Sequence, residues 1–436
     1  MSSRIRASGG GPVVGSVRVP GDKSISHRAV MFGALANGIT EVEGFLPGAD
    51  TLATLAAFEQ LGVKIERISD KKLIIHGVGL QGLTESEQPL DMGNSGTGMR
   101  LMAGILAAQP FASTLIGDHS LTGRPMARVL NPLAQMGAKI ESAEGQRPPL
   151  RFSPVDSLKA IDYSLPMASA QVKSCLLIAG LYADGVTRVT EPAPTRDHSE
   201  RMLRGFGYQV TTNGSQVTLS GGGQLSGCRV QVPGDISSAT FPMIAALITP
   251  GSELLIERVG INPTRDGVLR ILAKMGARIE QSNLREEGGE PVADLRVFSS
   301  ELKGIHIGGD LVALAIDEIP ALAVAAACAE GTTTITDAAE LRVKESDRIT
   351  STVSGLKLLG VDAEERADGM VIQGSPMHGG QVDAAGDHRL AMAFAIASLR
   401  AEGAVEILDC DNVVTSFPNF VALMSEIGLD LELINS

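Results

Sequence analysis

The segment PGDKSISHR, residues 20–28, concentrates groups that can bind anions. Lys23 and Arg28 carry positive charge, Ser24 can donate a hydrogen bond, and the apolar segment AVMFGALANG follows directly. A helix that is buried along its length still presents unpaired backbone N–H groups and a positive dipole end at its start. Such a start, with lysine and arginine beside it, suits phosphate and carboxylate groups.

Basic residues recur at comparable places along the chain, where a polar opening precedes an apolar segment. They are accompanied by uncharged hydrogen-bond donors. The basic residues are Arg100, Arg124, Lys173, Arg196, Arg342, Lys344, Arg348 and Arg389, and the donors are Asn94, Thr97, Ser169 and Gln171. One such arginine alone is typical of a solvated helix face, but repetition at the same place favours binding. We therefore predict that the protein binds small polyanionic substrates.

The composition argues against other partners and cofactors. The 436 residues carry a formal net charge of −13 and only 3% aromatic residues, so nucleic acid is not an expected partner. The GDKS segment lacks the glycine that precedes lysine in a Walker loop, and GNSGTG departs from the dinucleotide fingerprint. The seven histidines form neither HxH nor HExxH spacing. We expect no cofactor and no required metal.

Internal repeats predict the elements that position these residues. The phrase LGVKIE at residue 61 has counterparts that begin at residues 136, 206, 275, 359 and 427. Each copy closes an amphipathic helical pattern, its glycine suits a helix C-cap, and the following residues start a strand. A second phrase, with a polar opening, an apolar helix of small residues and a strand, also recurs six times. We expect these apolar helices to be buried and to direct their polar starts into a common cleft.

A shorter repeated sequence, found once in each half of the chain, predicts two similar domains. VRVPGDKS at residues 17–24 and VQVPGDIS at residues 230–237 each join a strand, a Pro-Gly turn and a helix start. With three repeats in each half, residues 21–234 form one domain. Residues 235–436 form the other, completed by the strand from residues 1–20. The chain crossings near residues 20 and 234 are predicted to act as a hinge.

The hydrophobic segments predict no membrane partner. No apolar run approaches the roughly 18 residues that span a bilayer, and MSSRIRASGG lacks the apolar core of a signal peptide. We therefore expect a cytoplasmic protein.

Seven motifs together carry a resemblance to a known family. The chain resembles the 5-enolpyruvylshikimate-3-phosphate (EPSP) synthases, in order and over essentially its full length, through PGDKSISHR, GNSGTGMR, LTGRPM, SAQVKS, DEIP, RVKESDR and GDHRLAMA. The resemblance implies an α/β (α+β) fold of two similar domains, each of three βαβαββ repeats with buried parallel helices. This is the inverse α/β barrel of the enolpyruvyl transferases, with the active site in the interdomain cleft. The implied protein is a monomer.

The resemblance also implies the reaction. The enolpyruvyl group of phosphoenolpyruvate is transferred to the 5-hydroxyl of shikimate 3-phosphate, releasing phosphate, in the shikimate pathway of aromatic amino acid biosynthesis. By motif match, the residues expected to contact shikimate 3-phosphate are Lys23, Ser24, Arg28, Ser169, Gln171, Arg196, Asp317 and Lys344. Those expected to contact phosphoenolpyruvate are Lys23, Gly96, Arg124, Gln171, Arg348 and Arg389. Domain closure by induced fit is expected around both substrates.

Three residues are expected to take part directly in the reaction. Adding an alcohol across an enol ether requires a base near the hydroxyl and an acid at the methylene carbon, and two carboxylates can divide these tasks. We predict Asp317 as the base near the 5-hydroxyl, Glu345 as the proton donor and Lys23 as the group that assists phosphate departure. Asp317 could also be the N-cap of the helix IPALAVAAACA. His27 could also be a satisfied core histidine, and Asp387-His388-Arg389 could be an N-cap and a surface pair.

Several positions depart from the class I pattern of the family and resemble class II. Ala170 stands where class I enzymes carry a second serine, and Ser416 stands where they carry a lysine before Phe-Pro. TRDHSERM and DEIP also resemble class II, so Arg196 is expected to replace a serine contact to the substrate phosphate. Gly96 is retained where class II enzymes insensitive to the herbicide glyphosate often have alanine, which leaves inhibition by glyphosate open.

Two alternatives to this interpretation share part of its sequence evidence. UDP-N-acetylglucosamine enolpyruvyl transferase shares the architecture and the donor, but its loop cysteine has no counterpart in residues 111–125. A non-catalytic anion-binding protein could be built on the same repeats. The carboxylates of Asp317 and Glu345 argue against it, because they would only weaken anion binding.

Overall fold

The structure, a computed structural model, describes residues 2–434 and divides into two compact units. The first unit comprises Gly21–Val232 together with the short segment Glu287–Glu290. The second unit comprises the residues up to Pro20, Pro233–Glu286 and the residues from Pro291 onward. The predicted hinge near residues 20 and 234 stays a prediction.

The described residues form 14 α-helices, most of them short. They are α1 Lys23–Leu35, α2 Ala49–Gln60, α3 Gly96–Leu106, α4 His119–Thr122, α5 Ala127–Gln135, α6 Ala170–Gly180, α7 His198–Gly205, α8 Ile236–Ile248, α9 Gly267–Lys274, α10 Asp310–Leu314, α11 Ile319–Ala327, α12 Arg348–Leu358, α13 His388–Ala397 and α14 Phe420–Glu426. Three 3₁₀ helices are Ala339–Val343, Ser398–Arg400 and Asp411–Thr415.

The strands of the described chain are likewise short. They are β1 Arg4–Ser8, β2 Val14–Val17, β3 Ala36–Glu43, β4 Lys64–Ser69, β5 Lys72–Val78, β6 Leu90–Asp91, β7 Ser113–Ile116, β8 Lys139–Ala143, β9 Arg147–Ser153, β10 Leu158–Lys159, β11 Asp162–Ser164, β12 Ala183–Asp184, β13 Val186–Thr190, β14 Val210–Asn213, β15 Gln216–Ser220, β16 Leu225–Ser226, β17 Arg229–Gln231, β18 Glu253–Gly260, β19 Arg278–Glu287, β20 Glu290–Phe298, β21 His306–Ile307, β22 Thr332–Ile335, β23 Ala363–Arg366, β24 Gly369–Gln373, β25 Met377–Asp383, β26 Ala401–Leu408 and β27 Asp430–Ile434.

Each repeat builds one small mixed sheet. In the first unit the strand orders are β16-β3-β5-β4, with β17 also paired to β3, then β6-β7-β9-β8 and β11-β13-β15-β14, beside the pair β10-β12. In the second unit they are β19-β20-β18-β2, β21-β22-β24-β23 and β25-β26-β1-β27. The strand that follows each buried helix pairs in parallel on one side and antiparallel on the other, as β22 does with β21 and β24. The predicted βαβαββ repeats and mixed α/β fold are confirmed.

Strands from distant parts of the chain complete three of these sheets. β1 pairs antiparallel with both β26 and β27. β2 lies parallel to β18, and β16 and β17 lie parallel to β3. A sheet in a terminal repeat of each half therefore includes a strand from a distant part of the sequence. This pairing connects the terminal repeats to the rest of their units.

The glycine of the recurring phrase has the backbone conformation that the sequence predicts. All six copies have positive φ, between 82° and 114°, at Gly62, Gly137, Gly207, Gly276, Gly360 and Gly428. Residues with a Cβ rarely adopt this region, so glycine ends each amphipathic helix and turns the chain into the next strand.

The alanine- and glycine-rich helices form the interior of both units. Every residue of α8, α11 and α13 is buried, as are Ile25–Leu35 of α1 and Val172–Gly180 of α6. Each unit has its own hydrophobic core built around these helices. The predicted burial of the second-phrase helices is confirmed. In residues 2–434, no helix has both the length and the hydrophobicity needed to cross a bilayer.

Close packing of the buried helices predicts which glycines are required because a larger side chain would not fit. A Cβ at Gly104 of α3 would lie 2.4 Å from the backbone oxygen of Cys175 in α6. At Gly205, which ends α7, a Cβ would meet no described atom within 4 Å. We expect Gly104→Ala to destabilise the protein by about 1–3 kcal/mol, because neither backbone can yield without shifting a helix.

Thermal unfolding followed by circular dichroism measures this effect. Gly205→Ala is the matched control, which should be neutral or gain up to about 1 kcal/mol from helix propensity. Equal melting temperatures for the two variants would contradict the packing argument.

Candidate active site

Acidic or hydroxyl side chains cap the starts of five of the buried helices, whereas no described side chain caps the start of α11. In the described chain, backbone N–H groups of the first turn donate to the side chains of Asp22, Ser95, Ser169, Asp235 and Asp387, ahead of α1, α3, α6, α8 and α13. The alternative that Asp387 is an N-cap is confirmed, but His388 and Arg389 are buried, so the alternative that they are a surface pair is wrong. The N-cap assignment of Asp317 is wrong, because Glu318 occupies that position ahead of α11.

Arg28 is the centre of a buried polar cluster in the first unit. It is 3% exposed, and it donates to the hydroxyls of Ser199 at 2.7 Å and Ser174 at 2.8 Å and to the backbone oxygen of Ser24 at 2.9 Å. Burial lowers the pKa of Arg28 to about 10, with the charge of nearby Arg196 acting in the same direction. The positive charge of Arg196 near the buried Arg28 marks a place suited to an anion.

Lys23 forms an ion pair that the sequence did not predict. Its Nζ lies 3.0 Å from Oδ2 of Asp50, which sits in the first turn of α2. The two residues are 27 positions apart, and only the spatial proximity of α1 and α2 joins them. The segment LPGADTL gives a helix-start signal for Asp50 but no indication of its partner.

Ser169 and Gln171 connect the starts of α6 and α3. Ser169 accepts a hydrogen bond from the backbone of Val172 as the N-cap of α6. Gln171 accepts a bond from Arg100 at 2.7 Å and donates one to Thr97 at 2.9 Å. The structure therefore holds Gln171 and Arg100, two members of the predicted polar set, in direct contact.

Gly96 lies between two arginines. A Cβ at this position would be 3.1 Å from Nη1 of Arg100 and 3.2 Å from Nη1 of Arg124. Arg124 itself donates to Asn94 at 2.7 Å and to Ser120 at 3.1 Å. The bare backbone at Gly96 thus leaves room for these guanidinium groups to approach the start of α3.

The contacts of Lys173 differ from those expected of an anion-binding residue. Its side chain is 1% exposed, and Nζ lies 2.7 Å from carboxylate oxygens of both Glu191 and Glu200. The prediction that it contributes to an anion-binding helix start is wrong, because two internal carboxylates already neutralise it. The apolar surroundings of SAQVKSCLL gave no signal for these partners.

Arg348 is the centre of the second unit's cluster. Its side chain is 1% exposed and donates to Asp387 at 2.7 Å, to Glu345 at 2.6 Å and to Asp317 at 3.2 Å. Burial alone would lower the pKa of Arg348, but the charges of Asp387, Glu345 and Asp317 outweigh burial and raise it. The structure brings together both predicted catalytic carboxylates on one guanidinium group. Lys344 lies 3.7 Å from the same Asp317 oxygen.

Arg389 belongs to a second network at the starts of α8, α11 and α13. Its Nη1 lies 3.9 Å from Oε1 of Glu318, and its backbone N–H donates to Asp387. Glu318 accepts from the hydroxyl of Ser237 and faces Arg265 at 3.7 Å. Sequence reasoning did not select Arg265 or Glu318, although DEIP contains the latter.

Two other positions singled out in the sequence, Arg342 and Ser416, contact the rest of the protein or are buried in it. Arg342 donates to Asp347 at 2.8 Å and to the backbone oxygens of Arg366 and Ala367, which fits the alternative of a surface helix face. Ser416, where class I enzymes carry lysine, is 5% exposed and ends the 3₁₀ helix Asp411–Thr415.

One trio among the described residues has the ligand types of a metal site. Side-chain atoms of Asp197, His198 and Glu290 lie within 4.8 Å of one another. Nδ1 of His198 is already 2.7 Å from Glu290, and Asp197 accepts from Arg201 at 2.8 Å. These contacts account for the grouping as a hydrogen-bonded cluster of the first unit.

The site residues thus fall into two sets, one in each unit. Lys23, Ser24, Arg28, Gly96, Arg124, Ser169, Gln171 and Arg196 belong to the first unit, and Asp317, Lys344, Glu345, Arg348 and Arg389 belong to the second. Within each unit most of these residues lie at or beside the starts of helices. The roles of these residues in substrate binding stay predictions.

Fold and site together define a class of protein: a repeat-built α/β protein with basic groups and carboxylates at the starts of buried helices. Residues 7–424 match the family model of EPSP synthase (3-phosphoshikimate 1-carboxyvinyltransferase). The chain therefore belongs to the EPSP synthase family. The predicted family and the prediction of an enzyme are confirmed, and the non-catalytic alternative is wrong.

Individual relatives support the same family over the full length. The chain is 60% identical over 426 residues to the 3-phosphoshikimate 1-carboxyvinyltransferase of Methylococcus capsulatus, covering 98% of each chain. It is 62% identical over 423 residues to that of Acidithiobacillus ferrooxidans, covering 97% of each. A solved EPSP synthase structure from Acinetobacter baumannii matches with a TM-score of 0.90 at 51% identity, covering 100% of both chains.

His27 provides a test of the electrostatics in the first unit. It is fully buried, with Nδ1 2.8 Å from the Thr54 hydroxyl, and its pKa is lowered well below 6.5 by burial and by the charges of Lys23 and Arg28. We expect imidazole NMR signals of His27 to remain those of the neutral ring at pH 5.5. The variant His27→Gln assigns the signals.

The sign of the linked stability change follows from proton uptake on unfolding. The unfolded chain binds a proton at this histidine below about pH 6.5, whereas the folded chain does not, so the free energy of unfolding falls as pH decreases. The fall should be smaller in His27→Gln. A His27 signal that titrates near pH 6.5 would contradict the buried, positively charged surroundings.

Proposed function

We propose that the protein catalyses the reaction of its family, with the residues described above binding the two substrates. The enolpyruvyl group of phosphoenolpyruvate passes to the 5-hydroxyl of shikimate 3-phosphate, and inorganic phosphate is released, in aromatic amino acid biosynthesis. The family match over residues 7–424 carries this proposal. Buried arginines at helix starts supply the electrostatics that two phosphorylated carboxylates require.

The product dictates an addition followed by an elimination. The 5-hydroxyl oxygen bonds to C2 of phosphoenolpyruvate while its proton goes to a base, and the methylene carbon C3 accepts a proton to become a methyl group. The methyl group then loses a proton, the double bond reforms, and the C2–O bond to phosphate breaks. Each step needs one group that accepts a proton and one that donates it.

Asp317 and Glu345 are proposed as these two groups. Both carboxylates contact Arg348, at 3.2 Å and 2.6 Å, so they lie on the same guanidinium group. Asp317 serves as the base for the 5-hydroxyl, and Glu345 serves as the donor to the methylene carbon. Lys23 assists the departure of phosphate.

Arg348 is proposed to change partners when phosphoenolpyruvate binds. An ion pair favours the ionised form of a carboxylate, so Glu345 paired with Arg348 is a poor proton donor. An anionic substrate that takes over Nη1 and Nη2 of Arg348 frees Glu345 and Asp317 from that attraction. Substrate binding then prepares the two carboxylates for proton transfer.

The remaining contacts follow the motif match. Arg124, Arg389, Gln171, Lys23 and the backbone at Gly96 complete the phosphoenolpyruvate site. Shikimate 3-phosphate is held by Lys23, Ser24, Arg28, Ser169, Gln171, Arg196, Asp317 and Lys344. The proximity of Arg28 and Arg196 supports a shared anionic ligand.

Three further properties are inferred from the family and the sequence. We infer a monomer in the cytoplasm that undergoes domain closure on its substrates. Gly96, with two guanidinium groups within 3.2 Å of a hypothetical methyl group, favours access for small anions such as glyphosate.

Phosphate release tests the acceptor. Purified protein with phosphoenolpyruvate should release phosphate on addition of shikimate 3-phosphate and not on addition of UDP-N-acetylglucosamine, both in the presence of a chelator. Release only with the sugar nucleotide would overturn the acceptor, and release with neither would overturn the activity. Glyphosate added to the same assay should inhibit competitively with phosphoenolpyruvate.

Replacing one carboxylate tests its chemical role. Glu345→Gln keeps the size of the side chain but cannot cycle a proton, so we expect kcat to fall by about 10²–10⁴-fold. The affinity for shikimate 3-phosphate, measured by calorimetry, should change little. Glu364→Gln is the control, because Glu364 is exposed on β23 and pairs with Arg366. A Glu345→Gln enzyme with normal kcat would remove this residue from the mechanism.

A further inference from the structure

Lys173 fixes both ends of one segment of the first unit. Its Nζ lies 2.7 Å from Oε1 of Glu191, just after β13, and 2.7 Å from Oε1 of Glu200 in α7. All three side chains are at most 8% exposed. The intervening residues 192–199 therefore form a loop and a helix start whose two ends meet at a single buried ammonium group.

The same contacts extend to the residue before Arg196. Oε2 of Glu191 accepts a hydrogen bond from the hydroxyl of Thr195. Lys173 thus orients Glu191, and Glu191 orients Thr195, through the two oxygens of one carboxylate. Because Thr195 directly precedes Arg196, this chain of contacts ends at the backbone that carries the Arg196 side chain.

A second row of contacts runs parallel to the first. Ser174, next to Lys173, and Ser199, next to Glu200, are joined by a hydrogen bond of 2.8 Å, and Arg28 donates to both hydroxyls. Helices α6 and α7 are therefore joined at two adjacent pairs of residues. Arg28 and the segment that carries Arg196 are positioned by the same helix.

We propose that Lys173 is a positioning residue for substrate binding, acting through Glu191 and Thr195 to hold Arg196 in place for the phosphate of shikimate 3-phosphate. This inference rests on the proposed function of Arg196. A preordered arginine avoids the entropy cost of fixing a loop when the ligand binds. Loss of the link lowers affinity for the phosphorylated substrate selectively.

A purely structural ion pair is the competing explanation. Removing one partner from a buried ion pair destabilises a protein whether or not it affects a ligand. The two explanations differ in ligand selectivity. Shikimate, which lacks the phosphate, does not engage Arg196, so a positioning defect spares its binding whereas a general structural defect weakens both ligands.

The conservative pair Thr195→Val and Thr195→Ser tests the final link. Valine has nearly the shape of threonine but lacks the hydroxyl that donates to Glu191, whereas serine retains it. We expect Thr195→Val to weaken shikimate 3-phosphate about tenfold in calorimetric titrations, about the effect of one lost charge-assisted hydrogen bond. Thr195→Ser should restore most of that affinity, and shikimate should bind both variants equally. Equal affinities of both variants for the phosphorylated substrate would overturn the inference.

Lys173→Met removes the ammonium group from which the contacts to Glu191 and Thr195 begin. Leu176→Ala is its control. Leu176 is fully buried on the same helix and its apolar side chain takes no part in the ion pairs with Glu191 and Glu200, so its truncation lowers stability and leaves those ion pairs in place. Lys173→Met should lose about tenfold in affinity for shikimate 3-phosphate, while Leu176→Ala keeps its affinity at a temperature where both are folded. If Lys173→Met does not fold, the Thr195 pair decides the question.

A double variant separates this inference from the function on which it rests. If Lys173 acts through Arg196, Lys173→Met combined with Arg196→Gln should bind shikimate 3-phosphate no more weakly than Arg196→Gln alone. Additive losses would overturn the positioning role. An Arg196→Gln protein with unchanged affinity would instead overturn the proposed role of Arg196, whatever Lys173 does.

Discussion

The structure depends on one constraint: helices that are buried along their length must still satisfy the backbone N–H groups of their first turns. Short acidic and hydroxyl side chains meet this need at Asp22, Ser95, Ser169, Asp235 and Asp387. Since the rest of each helix is apolar, polar chemistry is confined to the helix starts. The basic residues at these starts are accompanied by carboxylates such as Asp50 and Asp387, because the positive ends of the helix dipoles alone would disfavour cations.

The repeats and the fold could be predicted from the sequence because their signals are local. The positive φ of Gly62 and its five counterparts follows from a helix that ends and a strand that begins within a few residues. Burial of α8, α11 and α13 follows from their composition alone. The positions of the strands that close the terminal sheets depend on pairings such as that of β1 with β27, more than 420 residues apart, which periodicity alone cannot reveal.

The candidate site was predictable in residue type but not in charge pairing. Lys23 and Arg348 were selected correctly as helix-start cations, yet their partners Asp50 and Asp387 lie 27 and 39 residues away. Lys173 shows the consequence most clearly. A lysine at a helix start resembles a ligand-binding group until the structure shows two buried glutamates beside it. A buried cation needs a counter-charge, and the sequence does not say whether protein or substrate provides it.

Of the three carboxylates that contact Arg348, Asp387 is the most deeply buried. It is fully buried, accepts from Nε of Arg348 at 2.7 Å, and caps α13 through the backbone N–H of Arg389. Glu345 and Asp317 contact the outer nitrogens of Arg348 and are 25% and 15% exposed. In the proposed exchange, an incoming anion displaces these two partly buried carboxylates while the bond to Asp387 persists. In this proposal Asp387 keeps Arg348 ordered throughout the exchange and ties its position to Arg389, so one buried carboxylate preorganises two of the three arginines of the proposed phosphoenolpyruvate site.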